Sequence, residues 1–323
     1  FYPINVFSIK MTTNVQIPSN LEARAGFAAL IGAPNAGKST LMNCIVGTKV
    51  SIVTPKVQTT RSRIRGIAMF EASQVIFIDT PGIFKPKRRL DRAMVNAAWQ
   101  GTEEADVTLL LHDSARNSLD EETKAIVKQI IKIKYDFPNR KFALVLNKID
   151  LTKPENLLRR ASQLSQMLEF EKIFMISAEK GKGVKDLVKW LANQMPKSPF
   201  LFDPDDLSDL PQRQLAAEIL REKLFINLHQ ELPYLLTVET DSWQEKDDGS
   251  AEIHTSIYVA REGHRGIILG KKGQSIRRIG QSARLELEAM FERRIHLFTH
   301  VKYRKDWMND PDRYHNWDLE FDA

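Results

Sequence analysis

The chain has 323 residues, enough for two domains of ordinary size, and its 42% hydrophobic and 27% charged residues are typical of a globular protein. Its single cysteine excludes an internal disulfide and a cysteine-ligated zinc site, and no apolar run reaches the roughly 18 residues of a membrane-spanning helix. The net charge is +6, but twelve Lys or Arg and four Glu fall between Arg261 and Lys305, which indicates either a polyanionic partner or a solvated charged face.

Composition divides the chain into segments. Residues 1–20 lack the layout of a signal or transit peptide, and we expect them to form a disordered N-terminal extension. The stretch 196–211 is rich in proline and aspartate, which is typical of a linker. We therefore expect a first domain at 21–195, a second at 212–306 and a C-terminal tail at 307–323.

A phosphate-binding loop follows the first predicted strand. The sequence GAPNAGKST fits the pattern G-x-x-x-x-G-K-[ST] and lies between an apolar strand at 26–31 and a predicted helix. Its backbone N–H groups and the helix N-terminus favour a phosphate chain. Lys38 can reach the terminal phosphates, and the Ser39 hydroxyl can hold magnesium. The candidate residues are Gly32, Ala33, Pro34, Asn35, Ala36, Gly37, Lys38, Ser39 and Thr40.

A polar, basic stretch comes next, and we expect residues 50–66 to form a long functional loop. Two short strands are predicted at 67–70 and 75–78, and the second ends in the sequence DTPG. The Asp79 carboxylate, at the end of a strand beside a phosphate loop, is placed to hold magnesium directly or through water. Gly82 lets a backbone N–H approach a terminal phosphate. The candidate residues here are Asp79, Thr80, Pro81 and Gly82.

Further apolar strands are predicted at 107–111, 142–146 and 173–176, with an amphipathic helix at 121–134. Strands that alternate with helices indicate an α/β fold with a mostly parallel central sheet flanked by helices. In such a sheet the ligand loops lie at the C-terminal ends of the strands. Every motif described here falls at such an end, so we expect one shared site.

Base recognition is predicted at the last two of these strand ends. The Asp150 carboxylate can accept two hydrogen bonds from the ring N–H and the amine of guanine, a pair that adenine does not present. Asn147 can tie its loop to the phosphate loop, the Lys148 stem can lie over the base, and the Ala178 N–H can meet the guanine carbonyl. NKID alone is a weak match that a surface loop would also explain. The candidates are Asn147, Lys148, Asp150, Ser177 and Ala178.

The ordered motifs GAPNAGKST, QTTR, DTPG, NKID and SA resemble those of translation-factor-class GTPases, and their detailed form is similar to the Era-type group. The resemblance implies that Thr60, rather than Thr59, binds magnesium in the GTP state. In Ras-like enzymes a glutamine after the DxxG glycine orients the attacking water, whereas this chain has Ile83. The resemblance implies that potassium near Asn35 compensates, although Asn35 can also be a simple turn former. The catalytic candidates are Lys38, Asn35, Thr60 and Gly82.

The second domain contains Gly-Lys-Lys-Gly between two predicted helices, which resembles the GXXG loop of a KH domain. The predicted order is a helix at 213–229, strands at 234–240 and 252–259, helices at 264–269 and 274–293, and a strand at 295–303. This order resembles an α+β type II KH domain, which clamps single-stranded RNA. The RNA-binding candidates are Gly270, Lys271, Lys272, Gly273, Arg265, Arg277 and Arg278.

A P-loop GTPase domain followed by a type II KH domain resembles the Era family. The resemblance implies a monomeric cytoplasmic GTPase that uses GTP/GDP, Mg²⁺ and potassium. It also implies binding near the 3′ end of 16S rRNA, a role in maturing the 30S ribosomal subunit, and loose association with the inner membrane. Two alternatives stay open: a nucleotide-gated RNA-binding protein with negligible turnover, and a GTPase accessory to transfer-RNA modification.

Overall fold

The computed structural model describes residues 22–322, so the predicted N-terminal extension lies outside the described residues. These residues divide into two units. The first consists of 22–51, Thr60–Asp209 and 315–322. The second consists of Ile52–Thr59 and Leu210–Tyr314. A short piece of the predicted loop at 50–66 therefore belongs to the second unit and not to the first.

The first unit contains a six-stranded sheet in the order β2-β3-β1-β4-β5-β6. The strands are β1 Arg24–Gly32, β2 Ile64–Phe70, β3 Ser73–Asp79, β4 Val107–Asp113, β5 Lys141–Asn147 and β6 Ile173–Met175. β2 pairs antiparallel with β3, and the other pairs are parallel. The near-continuous apolar runs of the central strands are buried on both faces, as parallel strands require. The mostly parallel α/β prediction is confirmed, but β2 begins at Ile64 and not at 67, because Ile64 is buried and pairs with Asp79.

Helices flank this sheet: α1 Lys38–Val46, α2 Arg89–Glu104, α3 Glu121–Asp136, α4 Pro154–Met167 and α5 Val184–Gln194. α2 follows the DTPG motif and was not evident from the sequence. Its start is fixed by Asp91, whose carboxylate accepts hydrogen bonds from the N–H groups of Lys87 and Arg88, each at 3.0 Å. The predicted linker also packs in this unit, since the Gln74 side-chain oxygen accepts from the N–H groups of Leu201 and Phe202.

The second unit has the KH order α6 Gln212–Asn227, β7 Leu236–Glu245, β8 Ala251–Val259, α7 Glu262–Leu269, α8 Gln274–Phe291 and β9 Ile295–Tyr303. β7 and β8 are antiparallel, whereas β8 and β9 are parallel. Apolar side chains on one face of α6 and α8 pack with the inner face of the sheet, including Leu220, Leu287 and Ile257. Among residues 22–322, no helix is both long and apolar enough to cross a membrane.

The predicted C-terminal tail at 307–323 is corrected by the structure. Trp307 is fully buried and its indole N–H donates to the Leu235 carbonyl at 3.2 Å, so this part completes the second unit. Tyr314, in the short helix α9 Pro311–Asn316, is also buried. Residues 315–322 instead pack in the first unit, where the Asp318 carboxylate accepts from Arg63 Nε at 3.0 Å. The large aromatic residues Trp307 and Tyr314 are the sequence signal that this stretch is folded and that the domain continues beyond 306.

One buried histidine makes the first unit sensitive to acid. His112 on β4 is 1% exposed, and burial lowers its pKa from 6.5 to about 4, despite the opposing charge of Asp120. The unfolded chain binds a proton below pH 6.5 that the folded chain rejects until about pH 4. The free energy of unfolding is therefore highest above pH 6.5. It falls by about 3 kcal/mol at most as the pH drops from 6.5 to about 4.

We expect denaturant unfolding of the wild-type protein to show this loss between about pH 7 and about pH 4.5. His112→Gln keeps a neutral group beside Thr123 and should flatten the pH dependence in that window. Exposed His229→Gln is the matched control and should leave it unchanged. An identical pH slope for wild type and His112→Gln would show that the loss arises elsewhere.

Candidate functional site

The predicted phosphate loop lies between β1 and α1. Gly37 has φ +96° and a Cβ there would lie 2.2 Å from the Asn147 side-chain nitrogen, so glycine is required. Asn35 also has positive φ, at 63°. Lys38 is buried and its ammonium donates to the carbonyls of Gly32 and Ala33, at 3.3 and 3.4 Å. Burial lowers the pKa of Lys38 to about 8, against the charge of Asp79. An amine held in this way is suited to an anionic ligand.

Asp79, at the end of β3, gathers hydroxyl groups around one buried carboxylate. Its Oδ2 accepts from Ser39 at 2.6 Å, from Ser51 at 2.9 Å and from Thr60 at 3.5 Å. Burial raises the pKa of Asp79, and the Lys38 charge is the largest opposing influence. Its Oδ1 is buried and has no hydrogen-bond partner among residues 22–322.

These oxygens fit a hard divalent cation. Ser39 and Thr60 lie 3.0 Å apart through their hydroxyl oxygens, so the three predicted metal ligands meet at one point. An orphaned buried carboxylate oxygen beside two hydroxyls is the donor set that Mg²⁺ takes in proteins. Thr59 is not part of the set, because its hydroxyl contacts Thr54 at 2.7 Å. Ser51 was missed by sequence reasoning, since no motif contains it.

The residues after Asp79 bring a glycine to the phosphate loop. A Cβ at Gly82 would lie 3.0 Å from the Pro34 Cα, so the two segments are in close contact. The Ile83 N–H donates to the Gly32 carbonyl at 3.1 Å, and the Ile83 side chain is buried in the apolar core beside Ile31. Ile83, which occupies the position of the Ras glutamine, therefore packs in the apolar core. It leaves no water-orienting side chain at this position.

The predicted base loop is tied to the phosphate loop through one amide. The Asn147 Nδ2 donates to the Ala36 carbonyl at 2.9 Å, so the predicted tether is present. Its Oδ1 accepts from the N–H groups of Lys148 and Ala178, at 2.8 and 3.0 Å. The Ala178 N–H, which the sequence places near the base, therefore donates to a buried amide oxygen in this structure. Asp150 is exposed.

Two further base-loop residues have ordered partners. The Lys148 ammonium lies 2.6 Å from the Asp113 carboxylate at the end of β4, which holds the lysine stem across the strand ends. Lys148 itself has φ +63°. The Ser177 hydroxyl accepts from the Lys180 N–H at 3.2 Å and is buried. The four predicted strand ends thus form one continuous edge around the phosphate loop, as parallel topology requires.

The GKKG loop lies between α7 and α8 in the second unit. Gly270 has φ +68° and ψ −179°, a conformation that is essentially restricted to glycine, and a Cβ there would lie 2.7 Å from the Ser275 Cβ. The two loop lysines and the three predicted cationic neighbours are exposed: Lys271, Lys272, Arg265, Arg277 and Arg278. Arg265 lies 3.8 Å from Glu262, and Arg278 donates to the Asn227 side-chain oxygen at 3.5 Å. Ile267, 60% exposed on α7 beside the loop, is an apolar neighbour that sequence reasoning missed.

Residues 52–59 are built into the second unit. The Ile52 side chain is part of its apolar core, and the Val53 N–H donates to the Glu222 carboxylate on α6 at 2.9 Å. The Lys56 ammonium donates to the carbonyls of Phe225 and Leu228 at the end of α6, the latter at 2.6 Å. The guanidinium of Arg221, also on α6 and 2% exposed, donates to the Thr59 carbonyl at 2.5 Å.

Comparison with known proteins gives the same two-part organisation. Residues 27–148 match the family described as 50S ribosome-binding GTPase, and residues 231–308 match the KH domain family. GTPase Era from Mesorhizobium japonicum is 50% identical over 309 residues, which is 96% of this chain and 98% of the relative. The chain belongs to the Era family of GTPases. GTPase Era from Agrobacterium fabrum is 51% identical over 301 residues and 93% of both chains.

Two solved Era structures are similar to most of this chain. One is a variant of Era from Aquifex aeolicus bound to GDP and AlF4⁻, with TM-score 0.84. The other is Era in complex with MgGDPNP and nucleotides 1506–1542 of 16S ribosomal RNA, with TM-score 0.85. Each is 38% identical and covers 91% of this chain and 98% of its own. This Era-family chain is therefore a GTPase with a P-loop GTPase fold and a C-terminal KH domain, and the predicted fold class and activity are confirmed.

Proposed function

We propose that this Era-family GTPase is a nucleotide-dependent switch that binds single-stranded RNA near the 3′ end of 16S rRNA and assists 30S maturation. The observation that carries this proposal is the path of residues 52–59. Ser51 and Thr60, on either side of the segment, both donate to Asp79 in the first unit. The segment between them packs on α6 of the KH unit. A change at Asp79 is therefore connected along the chain to the RNA-binding unit.

For the nucleotide, we assign the phosphates to the backbone of the loop and to Lys38. Residues 32–40 supply N–H groups and the start of α1, and we assign the Gly82 N–H, which lies beside the loop, to the terminal phosphate. Guanine is read by Asp150, with Lys148 over the base and Asn147 holding the loop in place. The backbone around Thr80, Pro81, Ser177 and Ala178 completes the site. Preorganised donors of this kind are the main contribution that a protein makes to phosphoryl transfer.

We assign Mg²⁺ to Ser39, Thr60 and Asp79. The fit depends on the orphaned Asp79 Oδ1 and the two adjacent hydroxyls. The solved Era relative with MgGDPNP supports the assignment. When bound, the ion neutralises charge on the β- and γ-phosphates. The hydrogen bonds from the Ser51 and Thr60 hydroxyls to the Asp79 carboxylate would rearrange when the ion binds. Because residues 52–59 lie between Ser51 and Thr60, this rearrangement would link the nucleotide state to that segment.

We also assign a potassium site to Asn35, because Ile83 leaves the reaction without a water-orienting side chain. A cation beside the phosphates would supply the charge that an arginine finger supplies elsewhere. We expect single-turnover GTP hydrolysis by the wild-type protein to be about tenfold faster in potassium chloride than in sodium chloride. Asn35→Ala should hydrolyse GTP at the same rate in both salts.

The control for the potassium experiment is Asn139→Ala, a change at an exposed position in the loop before β5. It should keep the wild-type preference for potassium. Equal wild-type rates in the two salts would contradict a potassium site at Asn35.

For RNA, we assign the GKKG loop, Arg265, Arg277 and Arg278 to the phosphate backbone. Gly270 and Gly273 let the backbone of the loop approach a nucleotide, and the cations neutralise phosphates. The exposed side chain of Ile267 is placed to pack against a base. An exposed apolar group beside a cationic loop suits unpaired bases better than a closed duplex, whose bases are stacked inside.

The switch is tested by RNA affinity in two nucleotide states. The wild-type protein should bind a fragment spanning nucleotides 1506–1542 of 16S rRNA about tenfold more tightly with a non-hydrolysable GTP analogue than with GDP. Lys56→Ala removes the ammonium that holds the segment to the end of α6, and should reduce this difference to less than about threefold.

Exposed Lys132→Ala, on α3, is the matched control and should keep the full difference. Equal wild-type affinity in the two nucleotide states would contradict the switch. Equal affinity for transfer RNA would instead favour a role in transfer-RNA modification.

We further propose that the protein acts as a cytoplasmic monomer with peripheral association at the inner membrane, as the family resemblance implies. Sedimentation with anionic and neutral lipid vesicles tests the membrane part. If the protein co-sediments with neither kind of vesicle, the proposed membrane association is wrong.

A further inference from the structure

The loop between β4 and α3 places an arginine against the phosphate loop. The Arg116 guanidinium donates through Nη2 to the Pro34 carbonyl at 3.1 Å. Its side chain is 33% exposed, so it is partly removed from water. Arg116 is outside every motif that identified the nucleotide site. Arg116 and its partner Pro34 are 82 positions apart in the chain.

The guanidinium is held in place from both sides. Its Nη1 lies 2.9 Å from Asp120 Oδ2. Asp120 is itself fixed at the start of α3, where its carboxylate accepts from the Thr123 N–H at 2.7 Å and from the Thr123 hydroxyl at 3.0 Å. The Arg116 carbonyl accepts from the buried Arg160 on α4 at 3.1 Å. Residues at the start of α3 and on α4 therefore hold Arg116 in place. Because the guanidinium is planar, fixing Nη1 on Asp120 also fixes the direction of the Nη2 hydrogen bond to the Pro34 carbonyl.

The bonded carbonyl controls the residue after it. The carbonyl of Pro34 and the N–H of Asn35 belong to one planar peptide, so the two groups point in opposite directions. Since the carbonyl is held towards Arg116, the Asn35 N–H is directed away from it. Asn35 also has φ +63°, a conformation that non-glycine residues keep only when their surroundings hold it. Pro34 packs against Gly82 as well, which restricts the same peptide further.

We propose that Arg116 is a positioning residue for GTP hydrolysis: it anchors the Pro34–Asn35 peptide so that Asn35 is presented to the phosphates in its left-handed conformation. Arg116 acts through Asn35 and not by touching the nucleotide. Without the anchor the peptide can rotate. The loop then keeps Lys38 and its other N–H groups, so nucleotide still binds while the geometry for reaction is lost.

The first test is single-turnover hydrolysis with GDP affinity measured in parallel. Arg116→Ala should slow hydrolysis about tenfold and change the GDP dissociation constant less than about threefold. Arg116→Lys should be nearly as slow, because an ammonium lacks the fork that spans Pro34 and Asp120. Guanidinium chloride, at a concentration that leaves the wild-type rate unchanged, should restore part of the rate of Arg116→Ala. Partly exposed Arg140→Ala, in the loop before β5, is the control and should show no rate loss and no rescue.

The second test combines the change with Asn35→Ala. If Arg116 acts through Asn35, the double variant should be no slower than Asn35→Ala alone. Rate losses that multiply in the double variant would overturn the proposal. So would full activity of Arg116→Lys, or a rate loss in Arg116→Ala that is matched by an equal loss of GDP affinity and not rescued by guanidinium.

Discussion

Replacing Asp150 by Asn should weaken GTP binding about 100- to 1,000-fold and allow xanthosine triphosphate to bind instead. The carboxylate accepts two hydrogen bonds from guanine, whereas an amide offers one acceptor and one donor. The donor then faces the guanine amine and is left without a partner. Xanthine carries a carbonyl where guanine has that amine, so it restores the pairing.

The measurement is equilibrium titration of fluorescent GDP and of its xanthosine counterpart with wild type and Asp150→Asn. The matched control is Asp136→Asn, at an exposed position near the end of α3. It should keep wild-type affinity for guanine nucleotides and gain none for xanthine. A GDP affinity of Asp150→Asn within about threefold of wild type would contradict the assignment of this carboxylate to the base.

Removing both lysines of the GKKG loop is expected to lower single-stranded RNA affinity by about tenfold or more at moderate salt. Each lysine is exposed, and the adjacent glycines let the backbone approach RNA phosphates. If each lysine neutralises one phosphate, the slope of log affinity against log salt should fall by about 1.4 in the variant. GTP hydrolysis without RNA should be unchanged.

Filter binding of a 16S-derived single strand across a salt series provides both quantities. The control is Lys128→Ala combined with Lys132→Ala, two exposed lysines on α3 that remove the same charge from the first unit. This control should retain the wild-type salt slope. An unchanged slope in the Lys271→Ala, Lys272→Ala variant would show that the loop does not contact phosphates.

Most of the fold was predictable because its signals are local. Buried parallel strands appear as short apolar runs, and β9 has the predicted bounds, Ile295–Tyr303. The errors have physical causes. β2 starts three residues early because Ile64 is buried by pairing with β3, which no local pattern reveals. The C-terminal boundary was placed too early because the burial of Trp307 depends on a partner 72 residues away.

The kinds of ligand group at the site were already evident from local motifs. The phosphate loop, the DTPG turn and NKID are contiguous motifs whose residue types already specify a phosphate chain, a cation and guanine. The contacts that hold these groups in place became visible only in the folded chain. Three sets of contacts join residues that are far apart in the chain. Asp79 accepts from Ser39, Ser51 and Thr60, Arg116 donates to the Pro34 carbonyl, and residues 52–59 pack on α6. Such contacts depend on strand register and helix packing, which no local pattern encodes.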